Sequence, residues 1–158
     1  MLRLGRVAEG LPPGFGTLQA ESRGEGYDHI DRLANEWLAG TQLFQEPGCI
    51  LLACFEDEEL LGVGGLTDDF GPLAGRALRM RRFYVRPASR RRGIGRTIAS
   101  ALLDHARDYV KRVTLYTESE QAVSFWESIG FAADRRDGRT HIFEFGDRAN
   151  AAISGAPS

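Results

Sequence analysis

Only two of the 158 residues are cysteines and only one, Lys111, is a lysine. Cys49 and Cys54 are an odd number of residues apart, which on one strand places them on opposite faces, so a bridge between them is not expected. With no further cysteine nearby they read as reduced core thiols, and neither a metal site nor a redox pair is predicted. Long apolar runs are missing as well: none approaches the roughly 18 residues of a membrane span, and MLRLGRVAEG has no apolar signal-peptide core. The expectation is a cytoplasmic chain that does not bind a membrane.

Acidic residues are absent from one long stretch. Arg76 to Arg96 contains nine arginines and no carboxylate, which leaves 11 basic against 22 acidic residues, a net −11, in the rest. This asymmetry points to one anion-binding surface on an otherwise acidic protein. A nucleic-acid partner is disfavoured, because the acidic remainder would repel a duplex.

The hydrophobic content of 42% suffices for one core, and a single domain over 1–147 is expected, with the Ala-, Ser- and Gly-rich residues 148–158 as a disordered tail. Alternation predicts strands at LRLGRVA, CILLACFE, ELLGVGGL, ALRMRRFYV, RVTLYT, FAADRR and THIFEF. Helical spacing predicts a short helix through Phe15 and Leu18, followed by a loop over 22–26. Three further helices are predicted, one from Asp28 to Gly40 with Ile30, Leu33, Trp37 and Leu38 inward, one over 93–110 and one capped by Ser119 and stopped by Gly130. The order is strand, two helices, three strands, helix, strand, helix, two strands. That is an α/β fold in three layers, with helices on both faces of a mixed sheet of about seven strands.

YVRPASRRRGIGRT, residues 84–97, carries the chemistry. A strand passes through an Arg-rich loop into a helix whose N-terminal amides and dipole suit a phosphate or pyrophosphate. Gly93 and Gly95 leave the backbone approachable, while Arg90, Arg91, Arg92 and Arg96 add charge. No lysine follows the glycines as in a P-loop, and Ile98 stands where a dinucleotide fingerprint needs its third glycine. Nucleoside triphosphates and NAD are therefore disfavoured.

Arg90, Gly93 and Gly95 match [QR]-x-x-G-x-[GA], and SEQAVSFWESIGF matches N-x-x-A-x-x-[FL]-Y-x-x-x-G-F at Ala122, Phe125, Gly130 and Phe131. With these two motifs and this strand order the chain resembles the GCN5-related N-acetyltransferases over nearly its whole length. The resemblance implies a GNAT-like fold, acetyl-CoA as co-substrate, no metal, and direct attack by an amine of a small molecule or a protein; homodimers are common in the family. It further implies that the pantetheine arm lies in a splay between the strands ending at Val85 and Thr117. Phe83, Tyr84 and Val85 would hold that arm, and Arg90, Arg91, Arg92, Gly93, Ile94, Gly95, Arg96 and Thr97 would hold the pyrophosphate. Ser119 and Trp126 of the second motif would adjoin the cofactor.

Two departures from the family pattern bear on catalysis. Trp126 stands where many members have a proton-donating tyrosine, and Arg79 where some have a glutamate base. Indole is no acid at neutral pH. Tyr84 and Tyr116 are replacement acids to consider, against the ordinary reading of packed strand tyrosines; Asp68 and Asp69 are candidates to steer or deprotonate the amine, against a solvated turn. His29, at a helix start, is a base candidate whose simpler reading is a surface residue. A catalytically weak acyl-CoA-binding or sensor protein of the same fold is the alternative function.

Overall fold

The computed structural model describes residues 1–73 and 75–146; the expected tail over 148–158 lies outside them. Its strands are β1 (Leu2–Arg6), β2 (Ile50–Glu56), β3 (Glu59–Asp69), β4 (Ala77–Val85), β5 (Arg112–Leu115), β6 (Ala132–Arg136) and β7 (Arg139–Glu144). They form one sheet in the order β1-β2-β3-β4-β5-β7-β6. Only β4 and β5 run parallel; the other neighbours are antiparallel. The helices are α1 (Phe15–Gly24), α2 (His29–Ala39), α3 (Ile94–Ala106) and α4 (Glu120–Ile129). Among the described residues no helix is long and apolar enough to cross a membrane.

Alternation along the strands builds a separate core on each side of the sheet. Leu52, Leu78 and Met80 join Ile98 and Leu102 of α3 and Trp126 of α4, whereas Leu51, Ala53 and Val63 join Leu18 of α1 and Ile30 and Leu33 of α2. The three-layer α/β arrangement is thus present, with seven strands. α3 lies close over β3 because β3 has no side chain there: a Cβ on Gly64 would stand 2.7 Å from the Phe83 ring and 3.0 Å from Ile98.

Several local expectations are corrected. α1 continues to Gly24 instead of giving way to a loop at Ser22, because Ser22 follows Leu18 by one turn and is itself buried on the same face. Leu38 is 80% exposed; α2 covers the sheet through Ile30, Leu33 and Ala34. α3 ends at Ala106, although the Val110 N–H still donates to the Ala106 carbonyl at 3.0 Å and keeps Val110 in the core. β5 stops at Leu115, not Thr117. Cys49 precedes β2, so strand alternation does not govern it; both free cysteines lie buried in the α3–α4 core.

Candidate functional site

The parallel pairing of β4 with β5 covers only Leu78 opposite Val113 and Arg79 opposite Thr114. Beyond that point the strands part. β4 runs on to Val85 with no strand partner on its β5 side, so a stretch of backbone donors and acceptors faces an opening. A bulge shapes this edge. Against β3, Tyr84 pairs with Val63 but Arg81 with Gly65, and Arg82 takes up the extra residue at φ 56°. The bulge shifts the alternation, so that Leu78 and Met80 before it and Phe83 and Val85 after it all face the α3–α4 core.

The floor of the splay is aromatic. Phe83 lies 4.7 Å from Trp126 and 5.9 Å from Phe125, centroid to centroid, and Trp126 lies 5.4 Å from Phe131. Trp126 is buried. Ser119 caps α4, its Oγ accepting from the Ala122 N–H at 3.3 Å.

Above this floor the N-terminus of α3 is open. Gly93 caps it at φ 78°, no side chain bonds its first amides, and its first turn holds no acid. The amides of Ile94, Gly95 and Arg96 therefore lack intrahelical acceptors. The Ile94 side chain is buried, leaving only its backbone at the site, and Thr97 Oγ1 donates back to the Gly93 carbonyl at 2.9 Å. The glycines serve different ends. Gly93 supplies the left-handed conformation, while Gly95 makes room for α4, since a Cβ there would stand 3.2 Å from the Phe125 ring.

The expected arginine surface is largely consumed by ion pairs. Arg76 binds Asp68, Arg79 Asp69, Arg82 Glu36, Arg86 Glu21 and Glu59, Arg90 Glu25, and Arg92 Glu56. Among the described residues Arg81, Arg91 and Arg96 have no carboxylate partner in these pairs; Arg96 donates to Ser128 Oγ at 3.0 Å. Positive charge at the mouth of α3 thus comes chiefly from Arg91 and Arg96.

The other face of β4 carries a polar network. Arg90 donates to both Glu25 oxygens, at 2.9 and 2.6 Å, and through Nε to the Val85 carbonyl at 3.0 Å. Tyr84 is buried and its hydroxyl donates to Glu25. Burial and the neighbouring carboxylate push that hydroxyl far above the usual phenol range, while the bond from Arg90 holds the Glu25 carboxyl below its own. His29 Nε2 lies 2.9 Å from the Phe83 carbonyl. A carbonyl only accepts, so Nε2 carries the proton in that bond. Burial lowers the His29 pKa, so the ring is neutral near pH 7 and Nδ1 keeps a lone pair. Neither the burial of His29 nor its link to β4 was legible in the sequence.

Asp68 and Asp69 end β3 in different settings. Asp68 accepts from Arg76 at 2.7 Å and lines a cavity of about 150 Å³ whose wall includes Glu36, Arg81 and Arg82. Asp69 is tied down by Thr114, the Gly71 N–H and Arg79. Burial acts to raise its pKa, but the bonds from Thr114 and Gly71 outweigh that and leave it lowered. Tyr116, just past β5, is exposed and donates to Glu118, which raises its pKa. The structure thus gathers Phe83, Val85 and Trp126 near the start of α3 with Gly93 and Gly95, while Asp68 lines a cavity on the α2 side of the sheet and Tyr116 is at the surface.

A sequence model of the Acetyltransferase (GNAT) family matches residues 15–131. The chain belongs to the GNAT acetyltransferase family. An acyltransferase is the activity such membership supports, and acetyl-CoA is the co-substrate of the family. A crystal structure from Exiguobacterium sp. 255-15, classed with acetyltransferases, is 25% identical, covers 100% of this chain and 99% of its own, and superposes with a TM-score of 0.82. An acetyltransferase from Streptococcus agalactiae 2603 is 16% identical over 91% of this chain and 98% of its own, with a TM-score of 0.70. The PaiA N-acetyltransferase of Thermoplasma acidophilum, solved in complex with coenzyme A, is 16% identical over 92% of this chain and 99% of its own, with a TM-score of 0.64. No curated protein matches the chain in sequence. Residues of this GNAT chain fit coenzyme A chemically: the α3 amides and Arg91 suit its pyrophosphate, and the backbone N–H groups of β4 beyond its pairing with β5 suit its amide-bearing arm.

Proposed function

We propose that the chain is an acetyl-CoA-dependent N-acetyltransferase that moves an acetyl group by direct attack to an amine of a small molecule or a protein. The observation that carries this reading is the end of β4, which has no strand partner on its β5 side beyond Arg79 and lies beside an uncapped, acid-free helix N-terminus. When bound, acetyl-CoA supplies a thioester whose carbonyl accepts an amine. The β4 backbone from Phe83 to Val85 aligns the arm, and a β4 amide near the bulge donates toward the developing oxyanion. The loop from Arg90 to Thr97 holds the pyrophosphate through backbone amides and Arg91, while Ser119 and Trp126 border the arm from α4.

Roles for the candidate catalytic groups follow from their settings. Asp68, on the cavity wall, is held by Arg76, so deprotonation of the ammonium falls to solvent. Asp69 holds the end of β3, and Tyr84 holds Glu25 and Arg90 beside the strand. Tyr116, at the surface, and water supply the proton for the departing thiolate. Incubation with acetyl-CoA and an amine library, read by thiol release and product mass, tests the reading. Acetylation of at least one amine class is expected. Tight acetyl-CoA binding without turnover of any amine would favour the acyl-CoA sensor, the reading that buried Trp126 in place of a tyrosine favours.

A further inference from the structure

One arginine of the nine is placed unlike the others. Arg81 lies on β4 beside the bulge and is about as shielded as its neighbours; its Nε, like that of Arg79, is buried with no hydrogen-bond partner, but unlike Arg79 it has no carboxylate paired with it. Arg79 and Arg82 on either side are already matched, by Asp69 and Glu36. Arg81 lines the cavity of about 150 Å³ between α2, the end of β3 and the bulge of β4. The two carboxylates on that wall do not neutralise it, because Glu36 is bound by Arg82 and Asp68 by Arg76. Arg81 is therefore left in a partly dry setting without an ion pair of its own. Burial and the flanking Arg79 and Arg82 lower the Arg81 pKa, while Glu36 and Asp69 act in the opposite sense.

Other surroundings of the cavity suit a small polar guest. Gln42 uses its carbonyl oxygen to accept from the Phe44 N–H at 2.8 Å, which leaves its amide hydrogens to donate. Phe44 is buried in the wall and Phe70, 93% exposed, stands at the rim. Arg81 precedes Phe83 by two residues, so the Cα atoms of the two lie within roughly 7 Å of each other on the strand.

We propose that Arg81 recognises an anionic group, a carboxylate or a phosphate, on a small acceptor that also carries the amine. This rests on the acetyltransferase reading for which end of the acceptor reacts, but anion recognition is measurable without turnover. Recognition would join the anion to Arg81 and to the Gln42 amide, while the ammonium turns toward Phe83.

The test titrates matched ligand pairs onto the protein by calorimetry, with and without acetyl-CoA. The α-amino acids are compared with their amides, and aminoalkyl phosphates with the corresponding amino alcohols; the two arms separate carboxylate from phosphate. At least one anionic member is expected to bind about tenfold or more tightly than its neutral counterpart, the increment of one charge-assisted hydrogen bond. In Arg81→Gln that ratio falls to near unity, and Arg81→Lys keeps part of it. Equal binding within every pair overturns the proposal, even if Arg81→Gln cannot be folded, and so does a preference that survives Arg81→Gln. Loss of acetyl-CoA binding with the pair ratio intact would overturn the acetyltransferase reading and leave this one standing.

Discussion

The two faces of β4 solve different problems with different materials. Toward α3 and α4 the strand presents Phe83 and Val85 to an apolar core, and the polar groups left over are backbone amides at the splay and the helix end. Toward α1 and α2 it presents Arg79, Arg81, Arg82 and Tyr84, and nearly every charge there is met by a carboxylate from another element. The first face is held in place by packing, so its tolerance is set by volume. The second is held by charge, so its tolerance is set by pH and by which partner is removed.

The largest expected effect breaks the packed face. Gly64→Val would drive methyl groups into Phe83, Ile98 and Leu102, and overpacking of this kind costs on the order of 3 kcal/mol. Urea titration should show that loss, with the splay and acetyl-CoA affinity disturbed together. A variant of unchanged midpoint would mean that α3 can lift from β3 freely.

Next in size is charge at the helix mouth. Arg91→Glu should weaken acetyl-CoA binding by about tenfold at low salt, and the difference should shrink as salt rises. Arg92→Gln should do less, because Arg92 is already paired with Glu56. Equal effects from the two would show that the ion pair opens when the cofactor binds.

The charged face should be the acid-sensitive one. Glu21 and Glu25 have pKa values lowered chiefly by bonds from Arg86 and Arg90. A carboxylate whose pKa is lower folded than unfolded binds fewer protons when folded. Its contribution is therefore complete above the unfolded value of 4.5 and is lost as pH falls through the folded value. Both side chains are about one third exposed, so solvent screening keeps the change modest. The urea midpoint should decline below about pH 4.5, and Glu25→Gln should flatten that decline. An unaltered slope in Glu25→Gln would remove Glu25 from the account.

The smallest expected effect sharpens the contrast from the apolar side. Trp126→Phe loses packing volume against Phe83 and Phe131 but no titratable proton, so kcat should stay within about threefold, a barrier change below 1 kcal/mol. A thousandfold fall in a folded variant, about 4 kcal/mol, would require the indole N–H in the transition state.

The same division separates what was legible in the sequence from what was not. Strand alternation, the caps at Ser119 and Gly40, the hairpin at Asp137 and Gly138, and the two motifs are short-range patterns, and they yielded the element order and the loop that turns into α3. Cys49 and Leu38 went astray where a period was extended past the end or the contact face of its element. Counting arginines between 76 and 96 located a real cluster but misjudged its free charge, because composition does not say which charges meet.

Helix and strand identity, and the glycines that let a loop turn into α3, were determined by the sequence alone, since each depends on neighbours within a few residues. Tertiary structure alone decided that Glu36 would meet Arg82 across 46 residues, that Glu25 would meet Arg90 and Glu21 would meet Arg86 across 65, and that Arg81 would be left without a partner. A carboxylate is equally compatible with any arginine until folding brings one within reach, and that distance is set by how α1 and α2 pack on the sheet.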